Sequence, residues 1–394
     1  MWGSRGGDLM AQLDLATVAR HRDVTAELSP TRHIDVGLVV TAVGLALVGL
    51  AMVYSATNKS LSALGSDPGF YVKKQAVYLV VAVVAMAVTA TVDYRLFKVY
   101  AIFMYLGSVL LLALVQTPLG TSAKGAQRWF QFAGFQLSPS LFARLGLIIM
   151  LAAYLSEVKG QLDLTNVVRA STLAAIPMFL VFVQPDIGTT IILSAVLVAL
   201  LVISGAKARH LAVLALAAAI AIFGAFQLHI IKDYQIQRLT SFLDPQSDVQ
   251  RAGYNKQQAE IAIGAGGLLG KGYLHGSQTN LDYVPAQHTD FIFTVVGEEL
   301  GFLRGAVPVL ILFGLLLWRA FRIALLAKDP FGTFVAVGVA AMIAIQVFVN
   351  VGMTIGIMPI TGIPLPFISY GGSAMIADFI GIGLLLNVHM RRFL

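Results

Sequence analysis

Ten long apolar runs divide this chain, and they constrain its fold more than any other feature. A helix needs about 20 consecutive, mostly apolar residues to cross the hydrocarbon core of a bilayer. Each run is close to that length. The sequence therefore predicts an all-α integral membrane protein with about ten transmembrane helices, at residues 34–56, 75–92, 98–116, 140–156, 169–184, 188–206, 209–229, 291–321, 332–355 and 372–390.

Composition supports a membrane protein. Apolar residues make up 58% of the 394 residues and charged residues 12%, whereas charged residues are about 25% of a soluble domain. So few charges cannot cover the surface of a soluble fold, and lipid must solvate much of this one. The chain has no cysteine, which excludes disulfides, thiolate nucleophiles and Cys-ligated metal sites.

The Lys and Arg residues predict how the chain is oriented. Residues 1–33 are polar and contain no apolar stretch of signal-peptide type, so we expect a cytoplasmic arm ahead of a ten-helix membrane domain at residues 34–392. Short loops on the side of this arm carry more Lys and Arg than those opposite, which places both termini in the cytoplasm. Topology thus explains most of the net charge of +7, and nucleic acid is not an expected partner.

A large extracytoplasmic loop, residues 230–290, is predicted between helices 7 and 8. Connections this long are usually functional. Its Gly-rich part, residues 264–272, indicates a close approach of backbone to another group, although a flexible spacer would also explain the glycines. It is not a P-loop, because Gly272 rather than Ser or Thr follows Lys271 and no strand is predicted before it.

The long loop ends in three polar residues, His288, Thr289 and Asp290, where the chain returns to apolar sequence. Thr289 or Asp290 could simply cap the next helix. Alternatively, in a regular helix the carboxylate would stand at the head of a groove of small residues that could hold a lipid or a sugar. Ionisable groups at membrane depth are costly and tend to be functional. The small residues at helical spacing from Asp290 are Thr294, Gly297 and Gly301.

Other polar residues lie in or against apolar runs. Taken singly, each is best explained by a structural ion pair, whereas together they predict a polar cavity in the bundle. The eighth run is long and carries charges, so we expect it to be oblique or broken. Residues 350–373 hold too many prolines and glycines for a continuous helix and are predicted to line the same cavity. The embedded polar residues are Arg144, Asp186, Glu298, Glu299, Asn350 and Asp378.

Several motifs match a known family. They are an Arg-Trp pair at residues 128–129, QPDIGT at 184–189, Gly253-Tyr254 with Gln258 ahead of the Gly-rich part, HTDFIF at 288–293, EELG at 298–301 and the whole stretch 350–373. Over about residues 34–392 the chain resembles the shape, elongation, division and sporulation (SEDS) family. Residues 93–95, Asp-Tyr-Arg, and Gln278 are more similar to its RodA branch than to its FtsW branch.

The chain departs from the family pattern in two places. The family motif QPSExxK appears at residues 138–144 with Leu141 in place of Glu and Arg144 in place of Lys. Arginine keeps the charge of lysine but not its shape, and any role of the Glu is lost at this position. In the long loop, Asn255 and Ala259 replace the family's Gln and Ser.

The resemblance implies polymerisation of lipid II into peptidoglycan strands on the outer face of the bacterial cytoplasmic membrane, in cell shape and elongation. The family's catalytic aspartate falls on Asp290, which implies an inverting transfer with this carboxylate as general base. The pyrophosphate leaving group needs positive charge, for which Arg128, Arg144 and Lys271 are candidates. The substrate-binding candidates are Arg128, Arg144, Gln258, Lys271, Asp282, His288, Glu298, Glu299 and Ser369.

The expected partners are lipid II, the nascent strand, membrane lipids and, from the resemblance, a class B penicillin-binding protein that cross-links the strands. No cofactor is expected, although Mg²⁺ or Mn²⁺ could assist the reaction without a visible ligand set. Two alternatives stay open: a transporter of lipid-linked oligosaccharides and a structural scaffold. A carboxylate at the rim of an outer loop favours chemistry over transport, and a scaffold explains the polar N-terminal arm but not an outer cavity.

Overall fold

The computed structural model describes residues 33–123, 126–132, 135–158, 160–227 and 252–392. The predicted N-terminal arm, apart from its last residue, lies outside the described residues, as do the last two residues of the seventh predicted segment, 228–229, and positions 230–251 of the long loop. The helices are α1 (Val36–Ala63), α2 (Phe70–Thr91), α3 (Tyr94–Val99), α4 (Ala101–Leu114), α5 (Pro139–Glu157), α6 (Leu164–Val183), α7 (Ile187–Ile203), α8 (Ala208–Gln227), α9 (Ala252–Gly266), α10 (Ser277–Asn280), α11 (Ile292–Val295), α12 (Val307–Leu326), α13 (Pro330–Thr354) and α14 (Gly372–Met390).

The helical membrane fold predicted from the apolar runs is confirmed. In the described part of the chain, eight helices are long and apolar enough to cross a membrane, and α4 and α7 are shorter apolar helices. Together these ten correspond one by one to the predicted segments. The third segment is divided, since the short helix α3 precedes α4.

A small antiparallel sheet lies between α4 and α5, which the sequence did not predict. Its strands are β1 (Thr121–Ala123), β2 (Ala126–Phe132) and β3 (Phe135–Leu137), in the order β1-β2-β3. Thr121 pairs with Trp129, and Phe130 pairs with Leu137. Strands this short give almost no periodic signal in the sequence. The sheet matters here because β2 carries Arg128.

The centre of the bundle is formed by α5, α13 and α14. In the most apolar stretch of 18 residues in each of these helices, 72%, 72% and 78% of the residues are buried, against 6% in α8. The apolar side chains of α8, such as Phe223, are therefore left for lipid to cover. Helix α1 packs through Gly49 against the segment between α13 and α14, since an added Cβ would lie 2.7 Å from Ile368 Cα.

The eighth predicted segment is broken, as expected. After α11 come two π-helical turns, Val296–Leu300 and Phe302–Ala306, separated by Gly301 with φ 76°. Only then does α12 begin. The prediction of a regular helix from Asp290 is therefore wrong, because π turns change the angular spacing of the residues.

The Gly-rich part of the long loop packs against these π turns. Lys271 N donates to Glu298 O at 3.1 Å, and Phe302 N donates to Gly267 O at 2.9 Å. A Cβ on Gly301 would overlap the backbone of Leu269 and Gly270. The predicted close backbone approach is confirmed. The small-residue groove at Gly301 is filled by this segment of the chain itself, so the hypothesis that it holds a lipid or a sugar is wrong.

Candidate active site

Two loops form the site. One is the 286–291 loop, which carries the polar residues before α11. The other is the 355–371 loop, the irregular segment between α13 and α14. Tyr370 N donates to His288 O at 2.9 Å, and the Ser369 hydroxyl donates to Thr289 O. The prediction that residues 350–373 do not form a continuous helix is confirmed, and the loop within them contacts the polar residues 288–290.

The side chain of Asn350, on α13, joins these two loops. It lies in the last turns of α13 and is fully buried. Its amide nitrogen donates to Asp290 O at 2.8 Å and to Ile363 O at 2.7 Å. A single side chain therefore fixes the backbone of both loops at the point where they meet.

The Asp290 side chain is half-buried and stands ahead of the helix rather than capping it. The N-cap position of α11 is Phe291, whose own side chain makes no capping hydrogen bond. The interpretation of Thr289 or Asp290 as the cap is therefore wrong. A Cβ on Gly362 would lie 3.4 Å from Asp290 Oδ2, and Gly362 has φ 75°. The carboxylate thus lies beside a position where any larger side chain would meet it.

An aromatic cluster borders the two loops. The ring centroid of Tyr71, at the start of α2, lies 4.9 Å from that of His288 and 5.0 Å from that of Tyr370. Burial, followed by the neighbouring Tyr78 and Tyr71, raises the pKa of Tyr370, so it stays a neutral hydrogen-bond donor. Half-buried aromatic rings with polar tips are suited to contact a sugar.

Gln75 ties α2 to the 355–371 loop. Its buried amide donates to Ser369 O at 3.0 Å and accepts from Gly371 N at 3.2 Å. Tyr71, Gln75 and Gly362 are site residues that the sequence analysis missed. Tyr71 and Gln75 lie near the predicted start of a membrane helix and belong to no motif. The importance of Gly362 depends on the residue beside it, which the sequence does not show.

Arg128 holds the QPDIGT segment. Its Nε donates to Gln184 O at 2.8 Å, its Nη2 donates to Pro185 O, and its Nη1 lies 3.9 Å from Asp186 Oδ1. Asp186 in turn caps α7 by accepting from Thr189 N at 3.1 Å. Both members of the ion pair stay partly exposed, with 22% and 15% of their side chains accessible.

The QPDIGT segment also touches the 355–371 loop. A Cβ on Gly188 would lie 3.2 Å from Thr361 O and 2.6 Å from Ile363 Cγ1. Gly362, between these two residues, is the one that contacts Asp290. The QPDIGT segment that Arg128 binds and the Asp290 carboxylate therefore lie against one short stretch of the same loop.

Glu298 and Glu299 are fully buried structural residues in the π turn. Glu298 accepts from Lys271 Nζ at 2.9 Å and from the backbone N–H groups of Gln278 and Thr279 at 2.8 and 2.9 Å. Glu299 accepts from the Ser55 hydroxyl of α1 at 2.6 Å. Their oxygens are occupied by protein donors, so the structure places both, with Lys271, in the support of the loop rather than on a substrate surface.

Arg144 lies in the core and not in the site. Its side chain is 0% exposed, and its Nη1 donates to Gln346 Oε1 at 2.6 Å. Asp378 is its buried counter-ion, with 3.9 Å between Nη2 and Oδ1. A leaving group could reach this guanidinium only if the helices separated, so the prediction that Arg144 binds substrate is corrected.

The remaining predicted residues are spread around the site. Asp282 is exposed, has φ 56° and accepts from Gln287 Nε2 at 3.1 Å, just ahead of His288. Gln258 is half-buried on α9. Ser369 is buried, and its hydroxyl is used between the loops. Among the described residues, no group of three or more His, Asp and Glu side chains could hold a metal ion.

Comparison with known proteins places these motifs in a defined group. A family model described as cell cycle protein, covering FtsW, RodA and SpoVE, matches residues 36–393. A protein of Geobacter metallireducens named probable peptidoglycan glycosyltransferase FtsW is 36% identical over 367 residues, which is 92% of this chain and 96% of that protein.

Two solved structures are similar over nearly the whole chain. One is a chain from a peptidoglycan synthase complex, described as coordinating polymerization and crosslinking, with a TM-score of 0.76, 31% identity and coverage of 91% of this chain and 98% of that one. The other is the rod shape determining protein RodA of Thermus thermophilus, with a TM-score of 0.68, 30% identity and coverage of 92% and 98%.

Proposed function

The chain belongs to the FtsW, RodA and SpoVE family of cell cycle proteins, the SEDS family, and from this premise we propose that Asp290 is the general base of its glycosyltransferase site. The chain is a peptidoglycan glycosyltransferase and a multi-pass helical membrane protein. Its substrate is lipid II, polymerised on the outer face of the cytoplasmic membrane, with both termini inside. The RodA-like motifs favour a role in cell elongation.

One observation supports this assignment above the others. The Asp290 carboxylate lies beside Gly362 at the junction of two loops, and hydrogen bonds from Asn350, Tyr370 and Ser369 fix that junction. A base must be held within hydrogen-bond reach of the proton that it takes. A half-buried carboxylate on a braced backbone, with an aromatic cluster beside it, meets that need for a sugar hydroxyl.

The reaction uses these groups as follows. A sugar hydroxyl of lipid II gives its proton to Asp290 while its oxygen forms a bond to the anomeric carbon of the growing strand. The bond from that carbon to the polyprenyl pyrophosphate breaks, and the configuration inverts. The departing pyrophosphate is stabilised by positive charge. Among the three predicted cations Arg144 is enclosed, whereas Arg128 and Lys271 keep 22% and 29% of their side chains exposed. We favour Arg128, because the segment that it binds contacts the 355–371 loop beside Asp290.

Cross-linking of the product requires a second protein. The described part of the chain consists of the helical bundle, the small sheet and the loops, with no separate domain for peptide chemistry. The similarity to a chain of a synthase complex that coordinates polymerization and crosslinking supports a class B penicillin-binding protein as the partner.

The decisive experiment is a polymerisation assay with purified protein and lipid II. The Asp290→Asn variant should lose about 10²–10⁴-fold in rate while lipid II binding and folding are kept. Asp163→Asn is the matched control, because Asp163 caps α6 by accepting from Asn166 N at 2.9 Å and serves no proposed chemistry. Long strands made by Asp290→Asn would refute the base. Lipid II translocation without polymerisation by the wild-type protein would favour a transporter.

A further inference from the structure

A buried ion pair joins two of the central helices of the bundle. Arg144 of α5 and Asp378 of α14 have 0% and 2% of their side chains exposed and lie 3.9 Å apart. Gln346 of α13 accepts from Arg144 Nη1 at 2.6 Å. Removing one partner of such a pair is strongly destabilising, because the other charge is left buried without compensation. The three central helices therefore depend on one another through these side chains.

The sequence around Arg144 shows why Asp378 is needed. The motif that residues 138–144 resemble carries Glu three residues before a cation, and residues at this spacing face each other on one helix. Here Leu141 stands in place of that Glu and packs, partly buried, against the core. Arg144 therefore has no carboxylate at this spacing on its own helix, and its carboxylate partner is on α14.

We propose that Asp378 is a positioning residue, which replaces the missing carboxylate at position 141 and aligns α13 and α14 so that Asp290 is held in its working geometry. This inference rests on the proposed function of Asp290.

Helix α13 connects the ion pair to Asp290. Gln346 and Asn350 are four residues apart and so lie on the same face, one turn from each other. Arg144 binds Gln346 at the lower turn, and Asn350 at the upper turn donates to Asp290 O at 2.8 Å and to Ile363 O at 2.7 Å. Any rotation of α13 about its axis would carry Asn350 away from both carbonyl groups.

A second connection runs through α14. Asp378 lies in the second turn of this helix, which begins directly after the 355–371 loop. The ring of Phe367, in that loop, packs edge-on against the ring of Phe379, the residue after Asp378, with 5.4 Å between the centroids. Phe367 has φ 64° and is almost fully buried, so its backbone conformation has to be imposed by its surroundings. The pair therefore braces both the helix and the loop that meet at Asp290.

The test is a charge-relocation series, measured by lipid II polymerisation and by thermal unfolding. Asp378→Asn should lower kcat by up to about 100-fold, the size expected for a misplacement of about 1 Å, with KM for lipid II little changed. The double variant Asp378→Asn with Leu141→Glu returns a carboxylate to α5 and should recover most of kcat. Asp35→Asn, which opens the unrelated pair of Asp35 with Arg319, should leave kcat unchanged.

If Asp378→Asn does not fold, a second double variant still tests the positioning role. Replacing both charges, as Arg144→Leu with Asp378→Leu, removes the uncompensated charge and keeps the core apolar, so this protein should fold while kcat stays low. Wild-type kcat in that double variant, or a failure of Leu141→Glu to rescue a folded Asp378→Asn protein, would overturn the positioning role. If the wild-type protein itself makes no glycan strands, it is the proposed function that fails.

Discussion

The side-chain amide of Asn350 donates to the backbone carbonyl of Asp290 at 2.8 Å. The same nitrogen donates to Ile363 O at 2.7 Å, so a central membrane helix holds both loops of the active site with one group. The position of the carboxylate thus depends on α13 at least as much as on the long loop that precedes it.

Replacing Asn350 with Ala should disable the enzyme more than it destabilises the fold. Two buried carbonyl groups lose their donor, at about 1–3 kcal/mol each if no water replaces it, and the loops are free to separate. We expect a lower unfolding temperature and a fall in kcat, measured on the folded protein, that the loss of stability does not account for. The matched control is Asn280→Ala. Asn280 lies in α10, and its side-chain amide makes a single hydrogen bond, to Leu274 O. Equal losses of kcat in both variants would contradict the role of Asn350.

Gly362→Ala should impair polymerisation by a direct contact. The new Cβ would lie 3.4 Å from Asp290 Oδ2, at a backbone φ of 75° that costs a residue with a side chain about 1–2 kcal/mol. Gly65→Ala separates the two effects, because Gly65 has φ 68° and nothing lies within 4 Å of its added Cβ. We expect similar losses of stability but a loss of rate only for Gly362→Ala. A rate loss in both would show that strain alone is responsible.

Glu298→Ala should act on stability. It leaves the N–H groups of Gln278 and Thr279 without their acceptor, at about 1–3 kcal/mol each, and releases Lys271. Thermal unfolding should shift downward, and the remaining folded protein should bind lipid II normally. Asp67→Asn, which opens the exposed pair with Lys73, should leave unfolding unchanged. Lost lipid II binding at unchanged stability would instead place Glu298 in the substrate site.

Cysteine labelling should test the orientation, since the native chain has no cysteine. Leu281 is 60% exposed in the long loop, and Lys328 is exposed between α12 and α13. With the termini inside, Leu281→Cys should react with an impermeant reagent added to intact cells and Lys328→Cys should react only after lysis. The reverse pattern would put the proposed chemistry on the wrong side of the membrane.

A class B penicillin-binding protein should co-purify with the native protein and alter its polymerisation rate. The physical reason is that glycan strands made by a chain with no described peptide-linking domain have to be passed on while they grow. Purified protein that forms only homo-oligomers, and whose rate is indifferent to any added transpeptidase, would argue against this partner.

The sequence predicts the helices well, because the length of an apolar run is set by the thickness of the bilayer. It also predicts that the chain is not a continuous helix within residues 350–373, since prolines and glycines interrupt helices. It fails where the answer depends on contacts between distant segments. Arg144 reads as a substrate cation until Asp378 is found beside it. Gly301 reads as part of a groove until the Gly-rich segment fills that face.

The π turns explain why the prediction of a regular helix from Asp290 is wrong. They also fix the number of residues between Asp290 and α12. A π turn holds an extra residue compared with an α-helical turn, so the faces of α11 and α12 are out of phase. Deleting one residue within Val296–Leu300 would shift the register of everything before it by one residue, or about 100° around the helix axis. Asp290 would then swing away from Gly362 with every residue of the site still present. The spacing between Asp290 and α12 is therefore as strictly fixed as the residues themselves, and this segment should tolerate substitutions far better than insertions or deletions.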